Sequence, residues 1–143
     1  MSSVNDFIAK SKPKVFCQTF NGVFEIRVTK DTPGAQHRVN RADKDVWYLP
    51  AKSICGFIVD ADKRETAFGP TLEIVLERGN GMELIFSTPW KGNVAGGFLN
   101  RMVNIDFGAE VQLDIAGGER QTLFIKQRGK NVPVAYTREN PNG

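Results

Sequence analysis

The chain has 143 residues, 41% hydrophobic and 24% charged, which suits one domain able to bury a core without disulfide or metal staples. Its net charge of +3 is unevenly spread: residues 1–46 hold eight Lys/Arg and five Asp/Glu, residues 47–110 six and eight, and residues 111–143 five and three. Basic ends around a mildly acidic middle would attract phosphates if both ends fold to one side, and are equally compatible with a solvated charge excess. The sequence has no long apolar run, no basic-then-apolar leader and no lipidation motif, so the expectation is no membrane span and a cytoplasmic location.

Residues 1–14 are polar, with one apolar pair, Phe7 and Ile8, and read as a flexible arm before a single domain over 15–136 and a tail over 137–143. Residues 15–29 hold two β-rich runs around Asn21-Gly22, the strongest short hairpin turn. In the second run Val23, Glu25, Arg27 and Thr29 alternate with Phe24, Ile26 and Val28, which predicts one polar and one core face and leaves Arg27 open to a phosphate or a cross-strand partner. Cys17 here, and Cys55 further on, have no Cys or His at ligand spacing and read as small packing residues.

Residues 30–44 lack periodicity and are rich in turn formers, which predicts a long loop carrying His37, Arg38 and Arg41. His37 has no partner at useful spacing for catalysis or metal binding. Residues 46–60 form a long β-rich run that bends at Pro50 and again at Gly56. Past Pro50 both of its faces are apolar, which favours a strand between two layers over one that exposes its rings. Residues 61–66, ADKRET, read as a charged connector with Lys63 and Arg64 at its tip.

The clearest signal is the stretch 68–86. Leu72, Ile74 and Leu76 alternate with polar or outward residues, a Gly-Asn-Gly turn follows, and the alternation resumes with Met82, Leu84 and Phe86. A period of two across a glycine turn predicts a β-hairpin with one buried face. Val94, Phe98, Met102 and Ile105 then recur at three to four residues and predict a short amphipathic helix from Asn93 to Asn104, weakened by Gly96-Gly97 but able to approach a sheet closely there. Trp90, just before it, reads as a cap on one end of the core. Val111, Leu113 and Ile115 form one strand face, and Leu123, Ile125 and Gln127 another, opposed to Phe124, Lys126 and Arg128. A last extended segment follows the turn at 128–131.

The resulting fold class is all-β with one short helix. A long bent strand, a hairpin, a helix and two more strands follow the order of the OB-fold, a five-stranded barrel with its helix between the third and fourth strands, here carrying an additional N-terminal β-hairpin. Its usual ligands are oligonucleotides and oligosaccharides, though a fold alone does not assign one.

The segments FNGVFEIRV, FLNRMVNIDF and IKQRGKNVPVAYTRENPNG resemble the small OB-fold single-stranded DNA-binding proteins encoded by tailed phages, over about residue 20 to the C-terminus and most densely over 98–107 and 136–143. The acidic tail by which many such proteins recruit partners has no counterpart here. The resemblance implies a non-enzymatic protein, without cofactor or metal, that coats and protects single-stranded DNA in phage replication or recombination in the host cytoplasm. Replication or recombination proteins are its implied further partners.

Such binding needs cations for phosphates and aromatic faces for bases. The residues able to supply them are Arg27, Arg38, Arg41, Lys52, Arg64, Lys126 and Arg128 for phosphates, and Trp47, Tyr48, Phe57, Phe68 and Phe124 for stacking, with a weaker claim for Tyr136. For each aromatic, packing is at least as good an explanation. A protein-interaction or structural module without nucleic-acid binding is the alternative, and an enzyme the weakest reading, since no nucleophile–base pair, metal cluster or phosphate loop is visible.

Overall fold

A computed structural model of the chain describes residues 13–117 and 120–135. The proposed arm up to residue 12, the tail from 137 and Tyr136 lie outside the described residues. Among the described residues ten strands form a mostly β architecture: β1 (Lys14–Phe20), β2 (Val23–Arg27), β3 (Gln36–Val39), β4 (Asp45–Ala51), β5 (Ser53–Thr66), β6 (Gly69–Glu77), β7 (Glu83–Pro89), β8 (Val111–Ala116), β9 (Thr122–Gln127) and β10 (Lys130–Asn131). One α-helix, α1 (Asn93–Leu99), and a 3₁₀ turn over Met102–Asn104 sit between β7 and β8.

The strands make one sheet in the order β10-β9-β8-β5-β6-β7-β1-β2-β4-β3. All of its pairings are antiparallel except that of β1 with β7, which runs parallel from Lys14 opposite Glu83 to Gln18 opposite Ser87. The closed five-stranded barrel expected from the sequence is therefore corrected: among the described residues the ladder is an open sheet whose ends are β10 and β3. The physical reason is that β1 takes the free edge of β7, so the N-terminal hairpin is built into the sheet.

Alternation explains the strands that the sequence marks best. Leu72, Ile74 and Leu76 of β6 and Leu84 and Phe86 of β7 are buried together, as are Leu113 and Ile115 of β8 with Leu123 and Ile125 of β9. The Asn21-Gly22 turn has positive φ at both residues, 50° and 79°, the mirror-image turn that suits twisted hairpin strands. Gly56 bends β5: residues before it pair with β8 and residues after it with β6. A Cβ at this position would lie 2.9 Å from the Glu77 carbonyl oxygen and 3.0 Å from Leu76 Cβ, so only glycine allows the strands to meet there.

Within the strands the structure departs from the sequence reading at four further places. The expected loop 30–44 contains β3, which pairs with β4 from Gln36–Tyr48 to Val39–Asp45. The long run 46–60 is cut at Lys52 into two strands, and Pro50 sits inside β4 opposite Glu25. The connector ADKRET is the second half of β5, so Lys63 and Arg64 lie within a strand opposite Leu72 and Thr71, and Ala67-Phe68 forms the tip. Finally, β5 is not covered on both faces: Ile54 and Ile58 are buried, while Phe57 and Val59 are 42% and 50% exposed.

The helix is shorter than its periodicity suggests. Val94, Ala95 and Phe98 are buried, but α1 stops at Leu99, and Met102 in the following turn is exposed although Ile105 is buried. Gly97 permits the close approach to the sheet, since a Cβ there would meet Leu123 Cβ at 3.4 Å; Gly96 faces open space. Trp90 packs against the core edge with Lys63 Nζ 5.2 Å from its ring centre.

Candidate nucleic-acid interface

Strand parity places a set of side chains on the sheet face opposite the core. Gln18 of β1 stands opposite Ser87 of β7, Ser87 opposite Glu73 of β6, and Glu73 opposite Asp62 of β5. One row further, Pro89, Thr71 and Arg64 line up across β7, β6 and β5. On the other side of β1, Gln18 stands opposite Glu25 of β2. The β3–β4 hairpin ends in a tight turn in which the Asn40 carboxamide oxygen accepts the N–H groups of Ala42 and Lys44 at 2.9 and 3.1 Å.

Between these strands and that turn lies a groove of about 770 Å³. Five residues singled out from the sequence converge on it: Arg27, Arg38, Arg41, Arg64 and Phe68. The residue that sequence reasoning missed is Phe20, at the end of β1, which also lines the groove and is 37% exposed. Its signal was available in the parity of β1: Phe16, Gln18 and Phe20 share the face opposite Cys17, whose side chain is buried.

The four arginines are not equivalent. Glu25 lies beneath the groove, fully buried although it sits on the face expected to be polar. Arg38 donates to its two carboxylate oxygens at 2.7 and 2.9 Å, and Gln18 Nε2 donates at 3.0 Å. The Glu25 hydrogen bond raises the Arg38 pKa above its ordinary value. Arg27 Nε lies 3.4 Å from the same carboxylate, an ion pair without the geometry of a hydrogen bond. Arg64 approaches Glu73 at 3.6 Å and Asp62 at 3.9 Å, exposed pairs that leave its charge available to a stronger anion. Arg41 is exposed on the β3–β4 turn and makes no ion pair with the described residues. Phe68 stands out at the β5–β6 tip, 75% exposed.

The remaining proposed contacts are dispersed. Tyr48 shares the Arg27 side of the sheet, opposite it across β2 and β4. Trp47 points to the other face, where the His37 ring lies against it, tilted by 40° with centres 4.7 Å apart, and also meets Asp45 at 2.8 Å. Lys52 donates its Nζ hydrogen to the Gly22 carbonyl at 2.9 Å, tying the β4–β5 junction to the first hairpin turn. Phe57 is exposed on β5 outside the groove.

Phe124, Lys126 and Arg128 lie on β9 and the turn after it. Phe124 borders a second, smaller cleft of about 340 Å³, with the Arg101 guanidinium 5.8 Å from its ring and Val132, Pro133 and Val134 on the other wall. Lys126 lies 3.6 Å from Asp114, whose carboxyl is pushed up by burial but held lower on balance by Ser53, Gln112 and Lys126. Arg128 donates to Asp106 at 2.7 Å, and that bond, with the Gly108 N–H, holds the Asp106 pKa below the usual carboxylate range. Buried Gln127 accepts from the Asp106 N–H at 2.8 Å and donates to its carbonyl at 2.7 Å, clamping this loop to β9.

Both cysteines are free, and burial pushes the Cys17 thiol up to about 12, with a smaller push from Glu25. Among the described residues no group of three His, Cys, Asp or Glu could hold a metal ion, and no helix is long and apolar enough to cross a membrane. Comparison with protein-family models, curated proteins and solved structures finds no significant match.

Proposed function

We propose that this protein binds single-stranded DNA, largely without regard to sequence, and that the groove between the N-terminal strands and the β5–β6 hairpin is where the strand lies. The observation that carries this reading is the convergence of four arginines and two phenylalanines on one groove of about 770 Å³ whose walls, among the described residues, hold one carboxylate, Glu73, with Glu25 buried beneath. Cations tracking a backbone beside exposed ring faces are what a single strand needs, because its bases are free to stack and its phosphates repel one another. Arg41 and Arg64 are the phosphate contacts, since neither is locked into a buried pair; Arg27 contributes from the groove wall, and Phe68 offers an exposed ring. The role is one of binding, coating and protecting DNA in phage replication or recombination, with no chemical step and with replication or recombination proteins as further partners.

The finer fold reading belongs to the same proposal. Strands β5 to β9 with α1 are an OB-type unit left open: their spatial order is β7-β6-β5-β8-β9, β5 is shared through its bend, and the helix falls between the third and fourth of them. The resemblance of residues 98–107 to phage single-stranded DNA-binding proteins supports it.

A second reading, a protein-interaction module, is favoured by one observation outside the groove: Phe16 is 55% exposed on β1, and Phe57 and Val59 on β5 are exposed as well. A titration with oligo-dT, the matching RNA and a duplex at two salt concentrations tests the first reading. The expected result is salt-sensitive binding to the single strand in preference to the duplex. Absence of any salt-sensitive binding to a long dT oligomer would overturn it.

A further inference from the structure

We infer that Phe20 is a base-stacking residue, so that the N-terminal hairpin contributes a nucleobase subsite to the groove; the inference rests on the single-stranded DNA reading above. Phe20 ends β1 immediately before the Asn21-Gly22 turn and faces the groove beside Arg38. The Arg38 guanidinium carbon lies 4.2 Å from its ring centre, which is stacking distance for a guanidinium over a phenyl face. That guanidinium is held at its edge by both oxygens of the fully buried Glu25 carboxylate. One side of the ring is thus covered by a fixed cation, while the residue as a whole is 37% exposed and lines the groove.

This arrangement suits an unpaired base better than a phosphate. A phosphate would compete with Glu25 for Arg38, and Glu25 already supplies two short charge-assisted bonds from a buried position. A base needs only a flat apolar face, which Phe20 offers and which the cation behind it makes more attractive to a polarised ring. Arg38 therefore supports the ring, and the phosphate contacts fall to Arg41 and Arg64.

The test compares oligo-dT with an abasic oligomer of the same length, which keeps the phosphates and lacks the bases. Phe20→Ala should weaken oligo-dT binding roughly 5- to 150-fold, the value of one stacked base, and change abasic binding less than about twofold. Phe20→Leu, which keeps apolar bulk without a ring face, guards against a folding defect and should show the same selective loss. Phe20→Trp should bind oligo-dT well and add emission quenching with oligo-dT that is missing with the abasic oligomer. Equal losses on both oligomers, or no loss on either, would overturn the stacking role while leaving the groove's function intact. Failure of the wild-type chain to bind either oligomer would overturn the DNA reading and the subsite together.

Discussion

Arg38 and Glu25 are joined by two hydrogen bonds of 2.7 and 2.9 Å, with the Glu25 side chain wholly out of solvent and the Arg38 side chain 18% exposed. This pair ties β3, a four-residue edge strand, to β2, which has no direct ladder contact with it. Without it, β3 is joined to the sheet through its ladder with β4, and the turn carrying Arg41 and Asn40 loses its brace to β2. The same carboxylate also takes the Gln18 amide and lies beside Arg27, so two donors and a further cation depend on one carboxylate.

Replacing Glu25 by Ala should therefore cost about 3 kcal/mol of stability, because removing one partner of a buried pair leaves the other without compensation. The lower end of the usual range applies, since Arg27 and Arg38 retain some access to water. Urea unfolding of the wild type and the variant measures this. A change below about 1 kcal/mol would mean that the guanidinium groups simply rotate into solvent.

At Gly56 the constraint is steric. An alanine methyl would sit 2.9 Å from the Glu77 carbonyl oxygen, a backbone atom that cannot rotate away, and 3.0 Å from Leu76 Cβ. Either β5 straightens or its pairing with β6 opens, and Gly56→Ala is expected to destabilise by about 1–3 kcal/mol, as overpacked cores do. Gly81→Ala probes the opposite case: nothing lies within 4 Å of its added methyl, and only its positive φ of 81° resists the change. Thermal melts of the two variants should separate these origins, with Gly56→Ala melting lower.

Cys17 predicts an alkaline slope. Its thiol titrates near 9.0 when unfolded and near 12 in the folded chain, because burial disfavours the thiolate. Between these values the unfolded state has lost a proton that the folded state keeps, so stability falls as pH rises, by about 1.4 kcal/mol per pH unit for this group. Its contribution is fully present below pH 9. Cys17→Ala removes the titrating group, and the difference between wild type and variant should shrink as unfolding is measured from pH 9 towards pH 10.5. Parallel pH profiles for the two proteins would contradict the assignment.

How much of this was legible follows from where each signal came from. Alternation marks β6, β7, β8 and β9 because each has one face on the core, and the burial of Leu72, Phe86, Leu113 and Ile125 follows from a period of two. The outer half of β5 carries no such pattern: Asp62, Lys63, Arg64 and Glu65 are all exposed, and the segment is a strand because β6 pairs with it. The same holds for β3, four residues with no buried member. The parallel pairing of β1 with β7 joins residues almost seventy positions apart and leaves no local trace, yet it opens the sheet. Of the site, the arginines were visible as residue types. Their division into locked Arg38 and available Arg41 depends on Glu25, whose burial is created by the hairpin that packs beside it.

That division makes the groove separable from the other basic residues. Lys126 and Arg128 lie beside Asp114 and Asp106 on the β8–β9 side of the sheet, away from the groove that Arg41 and the Glu73-paired Arg64 flank. Replacing Arg41 and Arg64 by Glu should weaken oligo-dT binding at least tenfold at low salt, while the double replacement of Lys126 and Arg128 by Glu should weaken it severalfold at most. The salt dependence is the sharper measure. For a single strand the slope of log affinity against log salt is about −0.7 per neutralised phosphate, so losing two contacts should flatten it by about 1.4, and losing none should leave it unchanged. Fluorescence titrations of both double variants between about 50 and 200 mM salt give the slopes. If the Lys126 and Arg128 variant flattens the slope and the groove variant does not, the DNA path runs over β9 and the groove serves another ligand.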